Sequence, residues 1–89
     1  MAVVAVFNSE LTHDQYDRII SELEARGHGK MDGRLHHVAW NSPEGWRVVD
    51  VWESEEALGK FANILMPLMA DLGLSVPPPA VYPAHNILS

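Results

Sequence analysis

The chain has 89 residues, 47% hydrophobic and 20% charged, and we expect a single domain spanning residues 1–89. The sequence contains no cysteine, which excludes disulfides, thiolate chemistry and iron–sulfur ligation and fits a cytoplasmic location. A net charge of −6 argues against nucleic acid as a partner, because an acidic surface repels phosphate groups. The apolar start, residues 1–8, is too short to be a signal peptide or a membrane span, so a soluble protein is expected.

The first part of the chain predicts a strand followed by a helix. Residues 2–7 read AVVAVF, a β-rich run without polar alternation that is typical of a central strand covered on both faces. Thr12 and Gln15 have the spacing of a capping box, which marks the start of a helix. Its apolar positions recur at helical spacing and form one stripe: Tyr16, Ile19, Ile20 and Leu23.

The middle of the chain predicts a hairpin and a second helix. Two β-rich runs, residues 34–40 and 46–53, flank the turn-forming segment 41–45. Ser54 then has the features of an N-cap and is followed by two glutamates and an apolar helical stripe. Pro67 lacks a backbone N–H, so we expect a kink near this position or two abutting helices.

The last predicted element is a strand over residues 80–88, and it completes the order βαββαβ. Pro83 cannot donate to a neighbouring strand, which places this strand at an edge or a bulge. The order predicts an α+β, ferredoxin-like fold with a four-stranded antiparallel sheet, in which strands one and three are central.

One face of this sheet is predicted to lack a cover within the chain. Right-handed connections put both helices on the same face. Strand one is nevertheless apolar at every position, and strand three carries Val49 and Val51 on the side opposite its tryptophans. An exposed apolar patch of this kind is typical of an interaction surface, so we predict a homodimer packed sheet to sheet.

Asp50 is a carboxylate within the apolar run of strand three, and a buried carboxylate needs a partner. With a five-residue hairpin loop, the register sets His36 opposite Asp50 and Arg34 near Trp52. A one-residue bulge would instead bring His37 to Asp50. The sequence leaves both registers open.

A histidine beside a carboxylate in an apolar setting has the composition of a general base, although the same pair can simply fix the strand register. His85, on the predicted last strand, is a second candidate base. Trp52 is the tryptophan expected to wall a pocket, and the Tyr16 hydroxyl can point at the sheet. No metal is expected, because adjacent His36 and His37 point to opposite faces and no other pair of histidines has ligand spacing.

Three segments carry a resemblance to a known family: WRVVDVWES at residues 46–54, HVA at 37–39 and VYPAHN at 81–86. Together they resemble short members of the dimeric α/β-barrel superfamily related to the antibiotic biosynthesis monooxygenases. The resemblance implies a homodimer with a small-molecule pocket in each subunit. It further implies the chemistry of relatives that oxidise aromatic polyketides without metal or flavin by holding the substrate as an anion that reacts with oxygen.

The function predicted from these features is that of a cofactor-independent monooxygenase acting on a small, acidic, aromatic or polyketide-like molecule. His37 or His85 would remove a proton, and Asp50 would orient the imidazole. The candidate substrate-binding residues are Trp52, Tyr16 and His36. A cyclase or isomerase of the same fold, and a non-catalytic binding or stress-related module, are the alternatives. Haem degradation is excluded, because the second helix has neither the tryptophan nor the histidine of that branch.

Overall fold

Four antiparallel strands in the order β2-β3-β1-β4 form the sheet of the computed structural model, which describes residues 1–88. The elements are β1 (Val3–Ser9), α1 (His13–Ala25), β2 (Arg34–Ser42), β3 (Gly45–Trp52), α2 (Glu55–Asp71) and β4 (Ala80–Pro83). The two strands predicted to be central, β1 and β3, are central, and Pro83 lies on an edge strand. The predicted α+β, ferredoxin-like βαββαβ fold is therefore confirmed.

Side-chain caps begin both helices. The Thr12 hydroxyl accepts a hydrogen bond from the Gln15 amide at 3.1 Å, and the Gln15 side chain accepts one from the Thr12 amide at 2.9 Å, so the predicted capping box is present. Ser54 caps α2 by accepting from the backbone amide three residues on, at 3.1 Å. Both helices thus start where the sequence indicates, because their first free N–H groups are satisfied there.

The second helix continues through Pro67, so the expected alternative of two abutting helices is wrong. Proline removes one backbone hydrogen bond, but the residues that follow it are held by burial in the core. Leu68 is fully buried and Met69 is 3% exposed. Packing of this apolar stripe offsets the lost bond, as tertiary contacts often override local preference.

The last strand is shorter than expected, since β4 ends at Pro83 rather than at residue 88. Val3 pairs with Pro83, and the Ala84 amide donates to the Ala2 carbonyl at 2.9 Å. Because β1 begins at Val3, the chain beyond Ala84 has no partner strand to continue the ladder.

The two faces of the sheet differ in their surroundings. The inner face packs with the helices into one core that comprises Val3, Ala5, Ile19, Leu23, Trp52, Ala57, Leu58, Phe61, Leu68 and Met69. The opposite face, called here the outer face, presents an apolar surface made of Val4, Val6, Val38, Trp40, Val49, Val51 and Tyr82. Val38 is 57% exposed and Tyr82 is 56% exposed. The predicted uncovered apolar face is therefore present in the single chain.

The hairpin between β2 and β3 closes through two residues, Pro43 and Glu44, and the expected five-residue loop is wrong. Proline at the second position and Gly45 at the fourth favour a tight type I turn. The Ser42 hydroxyl accepts from the Glu44 amide at 3.3 Å, which supports the bend. Trp40 consequently pairs with Arg47 and not with Trp46.

A Gly45→Ala substitution is expected to destabilise the fold by roughly 2–3 kcal/mol. Gly45 has φ +129°, and an added Cβ would lie 2.5 Å from the Ser9 carbonyl oxygen of the neighbouring strand. Thermal unfolding should show a fall in Tm of more than about 8 °C. Gly59→Ala is the matched control: a Cβ there meets nothing within 4 Å, and the change should raise the stability of α2 slightly. Equal Tm values for the two variants would contradict the assignment.

Candidate functional site

The short turn sets the register that builds the site. With Ser42 opposite Gly45, the regular ladder brings His37 opposite Asp50 on the inner face. His36 falls opposite Val51 and points to the outer face. Of the two registers left open by the sequence, the structure has the one that joins His37 to Asp50. The two-residue turn produces this register, because the ladder between the turn and the pair contains no bulge.

Four side chains form a hydrogen-bonded chain across the inner face. His37 Nδ1 lies 2.5 Å from Asp50 Oδ1, and His37 Nε2 lies 2.6 Å from the Tyr16 hydroxyl. Trp52 Nε1 donates to the other carboxylate oxygen of Asp50 at 3.3 Å. Because the carboxylate only accepts, the proton of a neutral His37 is assigned to Nδ1, and Nε2 accepts from the Tyr16 hydroxyl. The carboxylate of Asp50 thus orients the imidazole of His37, which in turn contacts the phenol of Tyr16.

Burial differs between the carboxylate and the imidazole of this hydrogen-bonded chain. Asp50 is 1% exposed and lies in the interior, whereas the His37 side chain is 27% exposed. Burial, and then the negative charge of Asp50, raise the pKa of the Tyr16 phenol above its ordinary value of 10.0. Tyr16 therefore remains protonated at neutral pH and serves as a hydrogen-bond donor, which leaves His37 as the basic group.

A cavity of about 70 Å³ lies beside these hydrogen-bonded side chains, between the sheet and the helices. Its apolar wall comprises Phe7, Leu11, Ile19, Ile20, Leu23, Trp46, Val48, Phe61, Leu65, Met69 and Val76. The polar residues at the cavity are Ser9, Tyr16, Arg34, His37 and Asp50. A benzene-sized guest occupies a cavity of about 150 Å³. An aromatic ligand must therefore project from this cavity or displace apolar side chains.

The tryptophan that lines the cavity is Trp46 and not Trp52. Trp52 is fully buried and packs against Phe61, with ring centroids 5.1 Å apart. The expectation that Trp52 walls the substrate is therefore corrected: its indole lies in the core, outside the cavity wall, and donates a hydrogen bond to Asp50. Trp46 instead lies against the Tyr16 ring at 5.0 Å between centroids and holds the phenol in place.

Two of the candidate histidines lie away from the cavity. His36 is exposed on the outer face because of the register, and this position contradicts its expected contact with substrate. His85 lies beyond the end of β4 and is exposed, so the expectation that it enters the site from a strand is corrected as well. The cavity wall includes neither residue. The structure thus brings together Tyr16, His37 and Asp50.

Arg34 is a cavity residue that the sequence did not indicate as functional. The register expectation that it lies near Trp52 is confirmed, since the two are paired across the strands. The ladder is irregular between Arg34 and His36, with Leu35 as the extra residue. A β-bulge at a strand end cannot be recognised from the residue pattern here, because nothing marks Leu35 as unpaired.

Neither a metal-binding cluster nor a membrane-spanning helix is present among residues 1–88. Within this range, no three His, Asp or Glu side chains come together as a group able to hold a metal ion. The helices of the same range include none with the length and apolarity that a membrane crossing requires.

Comparisons with known proteins identify the fold. Solved structures of other proteins share this fold over almost their whole length. A Deinococcus radiodurans protein assigned as an antibiotic biosynthesis monooxygenase matches with a TM-score of 0.62 and 12% identity, over 100% of this chain and 97% of that one. A variant of SnoaB, a cofactor-independent oxygenase from Streptomyces nogalater, matches with a TM-score of 0.61 and 13% identity, over 98% and 94% of the two chains. No protein-family description and no curated protein matches the sequence.

Proposed function

We propose that this protein is a cofactor-independent monooxygenase that acts on a small, acidic aromatic molecule. The observation that carries the proposal is the position of His37, held by Asp50 on one side and in contact with Tyr16 on the other, at an apolar cavity. The fold adds support, because a similar structure belongs to a cofactor-independent oxygenase. At 13% identity, the likeness concerns the fold, and the chemistry is argued from the residues themselves.

The first step in this proposal is removal of a proton from the substrate. A phenol or enol hydroxyl of the substrate donates to the Tyr16 oxygen while the Tyr16 proton moves to His37 Nε2, over the 2.6 Å that separates them. The two transfers are concerted, because burial raises the pKa of Tyr16 and disfavours a free tyrosinate. The products are a substrate anion hydrogen-bonded to Tyr16 and an imidazolium that faces the Asp50 carboxylate.

The second step consumes dioxygen, which is the co-substrate of the proposed reaction. The anion gives electrons to dioxygen and forms a carbon–oxygen bond, and the resulting peroxide anion takes up the proton held on His37 to become a hydroperoxide. The carbon that binds oxygen is a CH₂ group in the keto form of the substrate. Loss of water converts this carbon to a carbonyl, so one oxygen atom enters the product and the other leaves as water. The substrate supplies all four electrons, and the apolar wall excludes water from the anion.

The proposal is tested with anthrone, whose acidic CH₂ group can be oxidised to the carbonyl of anthraquinone. His37→Gln removes the base and should reduce oxygen uptake and anthraquinone formation by about 10²- to 10⁴-fold. His28→Gln, the same change at a histidine outside the cavity wall, should retain the wild-type rate. Full turnover by His37→Gln, or no enzymatic oxidation of anthrone by the wild type, would contradict the proposal.

An isomerase is the second candidate, and the same chain of side chains favours it. Removal of a proton by His37 and its return to a different carbon need no oxygen, because the imidazolium that forms is itself the acid for the return step. Exclusion of oxygen distinguishes the two activities. Under nitrogen, a monooxygenase should form no product, whereas an isomerase should still convert its substrate to the isomer at the aerobic rate.

We further propose that the protein is a homodimer in which two outer faces pack against each other. The outer face is apolar on all four strands, and leaving several hundred square ångströms of such surface in water costs about 25 cal/mol for each square ångström. A second copy presents the same valine-rich surface, with Val49 and Val51 at its centre. Dimerisation leaves the cavity open, because the cavity lies on the inner side of each sheet.

A further inference from the structure

Arg34 is a half-buried cation at the cavity without a carboxylate partner. Among residues 1–88, no acidic side chain lies within 4.0 Å of its guanidinium, and its one side-chain hydrogen bond is to the Gly29 carbonyl at 3.4 Å. The chain has twice as many acidic as basic residues, twelve against six. In such a chain, a cation at a cavity wall without an ion pair is available to a ligand.

A β-bulge puts this cation on the same face as the base. Arg34 and His37 are three residues apart, so a regular strand would point them to opposite faces. The extra residue at Leu35 restores Arg34 to the inner face, opposite Trp52 and beside the His37–Asp50 pair. Leu35 itself is 47% exposed and adds nothing to the core. The bulge thus places the positive charge of Arg34 beside the hydrogen-bonded side chains. Bulges beside active sites commonly redirect a side chain in this way.

The positive charge of Arg34 acts on the phenol of Tyr16. Burial and the negative charge of Asp50 raise the pKa of the Tyr16 phenol, and the positive charge of Arg34 opposes both. A negative oxygen formed beside Tyr16 therefore experiences attraction from Arg34. The carboxylate of Asp50, in contrast, is already occupied by His37 and Trp52.

We propose that Arg34 binds an anionic oxygen carried by the aromatic ligand of the cavity and so selects aromatic acids over neutral aromatic compounds. This inference deepens the proposed function and depends on the cavity being a ligand site. The shared chemistry is an oxygen anion attached to an aromatic body, which is either a carboxylate that arrives ionised or a phenolate formed in the site. A planar guanidinium donates two hydrogen bonds to such a group, and bonds of this kind are about twice as strong as neutral ones.

The test compares benzoate with benzamide, which have nearly the same shape and differ in charge. Binding to the full chain is measured by NMR titration of backbone and indole amides. Arg34→Gln should weaken benzoate binding about 10- to 100-fold and leave benzamide within 2-fold of the wild type. Arg34→Lys keeps the charge and should recover part of the benzoate affinity. Arg18→Gln, the same change on the exposed surface of α1, is the matched control and should alter neither.

A second probe separates the two sources of the anion. 4-Nitrophenol absorbs near 400 nm only as the phenolate, so its ionisation on binding is visible directly. If the anion is a phenolate formed in the site, the wild-type protein should lower the apparent pKa of 4-nitrophenol, and Arg34→Gln should abolish this effect. A carboxylate site predicts that benzoate responds to Arg34→Gln and that the ionisation of 4-nitrophenol does not change.

Failure of this inference is distinct from failure of the proposed oxygenase. Equal losses for benzoate and benzamide would overturn the role of Arg34. The same conclusion would follow if Arg34→Gln changed neither benzoate binding nor the ionisation of 4-nitrophenol. His37→Gln should retain benzoate binding within a few-fold even where turnover of anthrone is lost. No oxidation of anthrone by the wild type, together with a selective loss of benzoate binding in Arg34→Gln, would reject the oxygenase and keep the anion site.

Discussion

An Asp50→Asn variant should fold and lose about 10²- to 10⁴-fold of its turnover of anthrone. The asparagine side chain has the same shape and can still accept from His37 Nδ1 through its carbonyl oxygen. It lacks the negative charge that stabilises the imidazolium after proton transfer. Its amide group would also face Trp52 Nε1, donor against donor, at the position of the present 3.3 Å hydrogen bond. We expect this mismatch to cost about 1–3 kcal/mol of stability.

The same variant tests whether the site is catalytic or only structural. In a non-catalytic module, Asp50→Asn should lower Tm and leave binding of a ligand unchanged, and there would be no turnover to lose. In an oxygenase, kcat falls at temperatures well below the Tm of the variant. Asp32→Asn, at an exposed carboxylate that forms no ion pair within residues 1–88, is the control and should affect neither quantity. Wild-type turnover by a folded Asp50→Asn protein would refute the role of the carboxylate.

A Val49→Asp substitution should convert the protein from a dimer to a monomer. Val49 is at the centre of the outer face, paired with Val6 on one side and Val38 on the other. In a dimer packed through this face, the new carboxylate would be buried without a partner, which costs several kcal/mol per ion and occurs in both copies. Light scattering should give twice the mass of the chain for the wild type and the mass of one chain for the variant.

Thermal unfolding provides an independent check on this second result. The Tm of a dimer rises with protein concentration, so the wild type should show this dependence and Val49→Asp should not. Met66→Asp introduces the same charge at a site that is 61% exposed on α2, and it should leave the mass unchanged. A monomeric wild type at micromolar concentration would contradict the proposed interface and leave the outer face unexplained.

The fold could be predicted from the sequence because its signals are local. The capping box at Thr12, the cap at Ser54 and the apolar run of β1 each specify an element from a few adjacent residues. The topology then follows from the order of the elements. The end of β4 was misplaced because it depends on a distant residue: the ladder stops where Ala84 meets Ala2, and the composition of residues 84–88 does not indicate this.

The sequence could predict which types of residue form the site, but not how they pair or which way they point. A carboxylate in the middle of β3 required a partner, and His37 was one of two neighbours able to supply it. The choice between them depended on the length of the turn, which the sequence left open. The role of Trp52 was misjudged because adjacency to Asp50 does not reveal that the indole turns into the core. Arg34 was missed as a site residue because a bulge reverses the usual alternation of side chains.

The identity of the imidazole in the cavity is determined by a part of the chain that never touches it. The Pro43 and Glu44 corner begins six residues after His37, yet its size fixes which member of the histidine pair meets the carboxylate. A three-residue corner closed by Asn41 and Gly45 would shift the register by one, set His36 opposite Asp50 and turn His37 to the outer face. Loop engineering at this corner is therefore a route for exchanging the two rings without altering any residue of the cavity wall.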